Sequence, residues 1–112
     1  MRAEDRLMGE LCKVCPGTYL AWPIGKAPSL PWFTYRWWSG GEVFADDENY
    51  AQLRRMRIEL YFKELDLDLI DDFEDALKRV GTYSLYDATF VNTENCYRHV
   101  YRLACRPVHS ER

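Results

Sequence analysis

The most regular pattern in the chain is an alternation of apolar and polar residues at positions 54–63. The apolar set is Met56, Ile58, Leu60 and Phe62, and charged residues or tyrosine fill the positions between them. Because successive side chains of a β-strand point to opposite faces of a sheet, this period of two predicts a strand with one buried face.

The pattern changes to a helical period at residues 67–80. Apolar residues fall on one face of that helix at Leu69, Phe73, Ala76, Leu77 and Val80. Asp66 is the predicted N-cap, and Gly81 is predicted to end the helix. The remaining acids of this stretch are interpreted as a solvated face: Asp68, Asp71, Asp72, Glu74 and Asp75.

Weaker patterns predict the other elements. Apolar spacing predicts a helix at 3–15, which Pro16 and Gly17 end, and strands are predicted at 18–22, 32–38, 83–91 and 95–106. The order is α-β-β-β-α-β-β. We therefore predict one α+β domain over residues 1–112, with a mostly antiparallel four- to five-stranded sheet and two helices packed on one face.

An aromatic strand followed by an acidic stretch is the least usual part of the chain. Trp37 and Trp38 are adjacent in the predicted strand and face opposite ways, so we expect only one of them in the core. Residues 39–52 contain a glycine pair and several acids without apolar periodicity, which predicts a long mobile loop. Residues 107–112 are predicted to be a frayed end.

Composition and charge narrow the classes of function. The net charge of −3 provides no general attraction to nucleic acid, and no apolar run reaches the roughly 20 residues that span a bilayer. No export signal is recognised, so we expect reduced thiols in a cytosolic setting. Glycine-rich phosphate loops and nucleophile elbows are not found either. We therefore expect neither an enzyme nor a cofactor.

The four cysteines leave one alternative of a different class. Cys12 and Cys15 form a C-x-x-C at the end of a predicted helix, where the helix dipole does not favour a thiolate. A cytosolic zinc or thiol module would combine them with Cys96 and His99. Cys96 and His99 point to opposite faces of a regular strand, and His99 is more simply explained as a structural residue.

Arginines recur along one face of the last predicted strand, at Arg98, Arg102 and Arg106. These side chains are suited to phosphate or to carboxylate groups. Since the chain is acidic overall, we expect them to contact an acidic protein surface, either of this chain itself or of a neighbour.

The strand that contains Pro31, Phe33 and Tyr35 is followed by a long loop with Phe44, Ala45 and Asp46, and then by Tyr50. The next strand contains Arg55, Ile58, Glu59, Leu60 and Tyr61. With these residues and the order of its elements, the run from Leu30 to Gly81 resembles the tail terminator, or tail-completion, family of long-tailed bacteriophages. The resemblance extends over residues 5–106.

This resemblance implies a non-enzymatic virion protein at the head–tail junction, present in the host cytoplasm during assembly. Its partners would be other copies of itself in a homohexameric ring, the major tail tube protein and the head-side connector. Genome DNA would pass through the ring without sequence-specific binding, and no membrane is involved. Another head–tail connector or neck protein of the phage is the nearest alternative.

A ring subunit gives the aromatic and acidic stretch a use at the boundary between subunits. The residues predicted to lie at a subunit or partner interface are Trp37, Trp38, Phe44, Asp46, Asp47, Glu48, Tyr50, Arg98, Arg102 and Arg106.

Overall fold

The alternating segment forms the central strand of a five-stranded sheet. The computed structural model describes residues 3–37 and 54–105. Its elements, in chain order, are α1 (Ala3–Leu11), β1 (Gly17–Tyr19), β2 (Trp32–Trp37), β3 (Arg54–Phe62), α2 (Leu67–Val80), β4 (Thr82–Val91) and β5 (Cys96–Cys105). The predicted order of helices and strands is confirmed.

The strands lie side by side in the order β1-β2-β3-β5-β4. Strand β1 runs parallel to β2, whereas β2–β3, β3–β5 and β5–β4 are antiparallel pairs. The sheet is thus mixed but mostly antiparallel, as predicted. Strands β4 and β5 form a hairpin through the turn at 92–95, and β4 is the long edge strand of the sheet.

The hydrophobic core lies between the sheet and the two helices. Met56, Ile58 and Leu60 of β3 are fully buried, which confirms the predicted face of that strand. Both helices contribute to the same core, and every sheet residue in it belongs to one face. Other members of the core are Leu7, Leu11, Phe33, Phe73, Ala76, Leu77, Val80 and Leu103.

Helix α2 begins and ends where its capping residues predict. The Asp66 carboxylate accepts a hydrogen bond from the Leu69 N–H at 3.1 Å, and the Gly81 N–H donates to the Leu77 carbonyl at 3.0 Å. Gly81 also lies against the Ala104 carbonyl oxygen so closely that a side chain at residue 81 would overlap it. The predicted bounds of 67–80 are therefore confirmed.

Two elements end three or four residues before their predicted bounds, whereas the described bounds of β3, β4 and β5 differ from the prediction by one residue at most. Helix α1 ends at Leu11 instead of residue 15, because Val14 and Cys15 both donate to the Leu11 carbonyl and close a tight turn before Pro16. Strand β1 covers 17–19 instead of 18–22, since Leu20 has a φ of 66° and leaves the extended conformation.

Several predictions lie outside the described residues. They are the mobile loop at 39–52, the frayed end at 107–112 and the last residue of the predicted aromatic strand, Trp38.

Leu60→Ala is expected to lower the free energy of unfolding by about 2–5 kcal/mol, because Leu60 is fully buried in the core. Urea denaturation measures this loss. The control is Leu65→Ala, at a residue that is 69% exposed, where a change within about 0.5 kcal/mol is expected. A loss below about 1 kcal/mol at Leu60 would contradict the assignment of the buried face.

Candidate functional site: the arginine face of the sheet

The face of the sheet opposite to the helices is rich in arginine. The strand registers place five described arginines on it, and we call it the arginine face: Arg36, Arg55, Arg57, Arg98 and Arg102. The paired strands also place two acids there, Glu59 and Asp87. Within the described residues, this face therefore carries an excess of positive charge.

Three of these arginines form one row across neighbouring strands. Arg36 of β2 pairs with Arg57 of β3, and Arg57 pairs in turn with Arg102 of β5. We call these residues the arginine row. Like charges at directly opposite cross-strand positions destabilise a sheet. Such a row is favourable where an anionic group, from this chain or from a partner, offsets the repulsion.

Glu59 provides part of that compensation. Its carboxylate accepts hydrogen bonds from Arg57 Nε at 2.6 Å and from the Tyr61 hydroxyl at 2.7 Å. Burial by itself raises the pKa of Glu59, but the hydrogen bonds from Tyr61 and Arg57 and the charges of Arg57 and Arg98 outweigh it. The pKa of Glu59 therefore lies below its ordinary value.

Aromatic rings lie near the arginine row in two places, and the first is four residues away along β2 and β3. The Trp32 ring lies 4.6 Å from the Tyr61 ring between centroids, and Trp22 meets Trp32 edge-on at 6.0 Å. On the other side, the Arg102 guanidinium lies 5.3 Å from the centre of the Tyr86 ring. This cation–π contact favours an orientation of Arg102 along the sheet.

A shallow cavity of about 330 Å³ opens beside Arg102. Its lining includes a second arginine, Arg55, and the hydroxyl-bearing residues Thr82 and Ser84. Guanidinium and hydroxyl groups donate hydrogen bonds, so the donors around this cavity suit an oxyanion such as a carboxylate. These side chains could bind an anionic group and offset its negative charge.

A second polar cluster lies on the helix side of the sheet. Glu74 accepts hydrogen bonds from the Tyr101 hydroxyl at 2.9 Å and from the Tyr83 hydroxyl at 3.0 Å. Glu74 is half-buried, so its assignment to a solvated helix face is wrong. It lies next to the buried stripe of α2, where its carboxylate reaches the tyrosines and links α2 to β4 and β5.

His99 completes this cluster. Its Nδ1 lies 3.2 Å from the Tyr101 hydroxyl, which already donates its proton to Glu74, so the geometry assigns the His99 proton to Nδ1. Burial lowers the pKa of His99, although the charge of Glu74 acts in the opposite direction. Burial, with the hydrogen bond to Glu74, also raises the pKa of Tyr101. Both groups are therefore neutral near pH 7, as structural residues commonly are.

The residues of the zinc alternative lie on two sides of the sheet. Cys15 is buried in the core on the helix side, whereas Cys96 pairs with Val91 on the opposite face. Burial raises the pKa of the Cys15 thiol to about 12, so this thiol is protonated near neutral pH. In residues 3–37 and 54–105, no three or more His, Cys, Asp or Glu side chains are grouped to hold a metal ion.

The predicted interface residues have different locations. Trp37 is half-buried against the core, and Arg98 and Arg102 lie on the arginine face. The others fall outside the described residues: Trp38, Phe44, Asp46, Asp47, Glu48, Tyr50 and Arg106. Sequence reasoning did not connect Arg36, Arg55 and Arg57 to this face. The alternating pattern places Arg55 and Arg57 on the same face of β3. Which residues of β2 and β5 lie beside them depends on the register of these strands.

Comparisons with protein-family models, with curated proteins and with solved structures find no match to this chain. Neither described helix has the length and apolar character needed to cross a membrane.

Glu59→Gln is expected to change the dependence of stability on pH. Because the folded state lowers the pKa of Glu59, its charge stabilises the fold above the ordinary value of 4.5, and this contribution is lost as the pH falls through the lowered pKa. The difference in unfolding free energy between wild type and variant should therefore shrink on acidification, as measured by urea denaturation at several pH values.

The control for this prediction is Glu64→Gln, which removes one exposed carboxylate outside the arginine face. If the difference between wild type and Glu59→Gln stays constant from neutral to strongly acidic pH, Glu59 does not stabilise the fold through its charge.

Proposed function

We propose that this chain is a non-enzymatic subunit of a ring that ends the tube of a bacteriophage tail and joins it to the head-side connector. One observation carries the proposal beyond the sequence resemblance: opposite sides of the described structure bear opposite charges. The arginine face lies on one side of the sheet, and the acidic surface of α2 lies on the other.

The acidic surface follows from the helical period. Asp68, Asp71, Asp72 and Asp75 are all exposed, at positions i, i+3, i+4 and i+7 of α2. We call them the acidic row. The buried residues of α2, such as Phe73 and Leu77, lie on the opposite side of the helix and face the sheet. The acidic row therefore points away from the core and from the arginine face behind it.

Two unlike surfaces on opposite sides of a subunit favour head-to-tail contact. Such contacts generate a closed ring when the rotation between successive copies divides a full turn, and an open filament otherwise. The sixfold symmetry of the proposed ring is taken from the family resemblance. The tail tube and the connector are proposed as its neighbours on the same basis. Another neck protein of the phage would have the same subunit geometry and differ in its partners.

A zinc or thiol module receives less support. Cys15 belongs to the core on the helix side of the sheet, whereas Cys96 lies on the opposite face. Near-stoichiometric zinc in the purified protein would revive that alternative.

The purified chain is expected to form homohexameric rings, alone or on the ends of tail tubes assembled from the major tail tube protein. Native mass spectrometry counts the subunits, and negative-stain electron microscopy shows the rings and measures the tube length. Added protein should stop tube growth, because a capped end offers no surface to the next tube subunit. A tube protein incubated without this chain is the control. A monomer that leaves tube length unchanged would contradict the proposal.

Trp37→Ala is expected to lower the free energy of unfolding, since Trp37 packs against the core. Trp38→Ala, at the neighbouring position, is expected to leave the monomer folded and to impair assembly. Urea denaturation and native mass spectrometry separate the two effects. Normal folding and assembly in both variants would place the subunit interface elsewhere.

A further inference from the structure

We propose that the turn at 23–26 of one copy packs against an apolar patch on the β4–β5 hairpin of the next copy. The inference rests on the proposed head-to-tail assembly and deepens it by naming the two surfaces that meet. The turn presents Ile24. We call the other surface the hairpin patch, and its exposed members are Leu85, Ala88, Phe90 and Tyr97.

The exposed large apolar side chains of the described residues concentrate at opposite edges of the sheet. Three of them, Tyr19, Leu20 and Ile24, belong to β1 or to the loop that follows it, whereas four belong to the β4–β5 hairpin. Strands β1 and β4 are the two edge strands. Apolar groups gain free energy when a partner covers them, and unlike surfaces at opposite edges suit a head-to-tail contact.

Ile24 projects from a well-defined turn. The Lys26 N–H donates to the Pro23 carbonyl at 2.9 Å, and Gly25 has a φ of 74°. Both are features of a type II turn, in which Ile24 takes the first central position. The Ile24 residue is 101% exposed, so the single copy leaves this apolar group entirely uncovered.

The turn follows a segment that packs on the arginine-face side of the sheet. Trp22, just before the turn, meets the Trp32 ring edge-on with the centroids 6.0 Å apart. Trp32 pairs with Tyr61 and therefore belongs to the same face as the arginines of β3. The turn thus starts from the side of the sheet opposite to the helices.

The hairpin patch lies on the helix side of the sheet. Leu85 pairs with Tyr101, which belongs to the core. Glu74 links α2 to Tyr101, but β4 and β5 continue beyond this link to the hairpin turn. Helix α2 therefore leaves the patch uncovered. The exposed fractions are 47%, 42% and 41% for Leu85, Phe90 and Tyr97.

The rings of the hairpin patch are held in place by the core. Tyr97 stacks on the buried Phe62 with the ring centroids 5.7 Å apart, and Phe90 meets Tyr97 edge-on at 5.0 Å. The patch is thus an extension of the core onto the surface. It needs little reordering to receive an apolar group, which lowers the cost of binding.

The two surfaces also carry opposite charges. Residues 12–37 contain Lys13, Lys26 and Arg36 and no acid, whereas residues 82–95 contain Asp87 and Glu94 and no base. Lys26 lies in the turn itself, and Asp87 and Glu94 are exposed beside the patch. A second copy therefore brings a cation to the acidic rim of the patch, which favours turn-to-patch contact over patch-to-patch contact.

Pairing of two β4 strands is the main competing arrangement, because β4 is a long edge strand. It is disfavoured in two ways. The bulge between Leu85 and Asp87 interrupts the regular edge, and antiparallel pairing of 82–91 with itself would bring two Asp87 carboxylates together. This pairing is treated as an outcome of the test.

Aspartate at one apolar position of each surface tests the contact. The turn variant is Ile24→Asp, and the patch variant is Leu85→Asp. Each alone should assemble at least about tenfold less tightly than wild type, by sedimentation velocity and native mass spectrometry, because the contact would bury a carboxylate. The matched control is Leu65→Asp, at a residue that is 69% exposed outside both surfaces, and it should assemble as wild type does.

Circular dichroism and urea denaturation check that each variant is folded. Ala88→Asp, at another exposed position of the hairpin patch, replaces Leu85→Asp if that variant does not fold.

An equimolar mixture of the two variants separates a head-to-tail contact from a symmetric one. The intact patch of the turn variant can receive the intact turn of the patch variant, but the resulting pair has no further intact surface. The mixture should therefore form a 1:1 heterodimer and nothing larger. Native mass spectrometry identifies the heterodimer when one variant is labelled with nitrogen-15.

The charged rim is tested separately by Lys26→Glu, which should weaken assembly at least about threefold in low salt. Addition of Asp87→Lys and Glu94→Lys to the same chain should restore it. Lys63→Glu, at an exposed position outside both surfaces, is the matched control. If Lys26→Glu assembles as wild type does, charge does not select the orientation and the inference fails.

Three results would overturn the inference and leave the proposed function standing. In the first, both aspartate variants assemble as tightly as wild type. In the second, the folded variants form no heterodimer in the mixture. In the third, the turn variant still forms a dimer and the patch variant does not, which indicates pairing of two hairpin patches.

A wild-type chain that remains monomeric up to about 1 mM would also overturn the inference. Capping of tail tubes then decides the proposed function on its own. A monomer that caps tubes retains that function, whereas a monomer that does not cap them loses both.

Discussion

The register of β3 between β2 and β5 is the constraint on which the rest of the structure depends. It places Ile58 beside Tyr101 on the helix side and Arg57 beside Arg102 on the other. Because the side-chain period of a strand is two, a shift of one residue would move Met56, Ile58 and Leu60 out of the core and bring arginines into it. Burying unpaired guanidinium groups is costly, so the polar face of β3 also disfavours such a shift.

The two faces that this register creates are stabilised in different ways. On the helix side, the apolar core is supplemented by Glu74, whose hydrogen bonds to Tyr83 and Tyr101 link α2 to the far strands of the sheet. On the arginine face, Glu59 holds Arg57 within a row of like charges. The first arrangement satisfies a half-buried carboxylate, whereas the second pairs one arginine of the row with an acid on the same face.

Local signals in the sequence predict the helices and strands. The composition of the arginine face depends instead on the pairing of strands that are distant in the chain. Helix α2 was predictable to the residue because Asp66 and Gly81 act within one turn of its ends. The buried face of β3 was predictable because its alternation is uninterrupted. The arginine row was not, since Arg36, Arg57 and Arg102 lie far apart in the chain and meet only through the order of the strands. Glu74 was misassigned for a related reason, because its partners come from β4 and β5.

The separation of charge bears on the proposed assembly. In the ring proposed above, the acidic side of one copy would attract the basic side of the next, and salt would weaken that attraction. Copies that approached through the same side would repel each other, which would disfavour twofold pairing through either surface. The proposed ring would therefore have one defined direction, although the net charge of the chain is only −3.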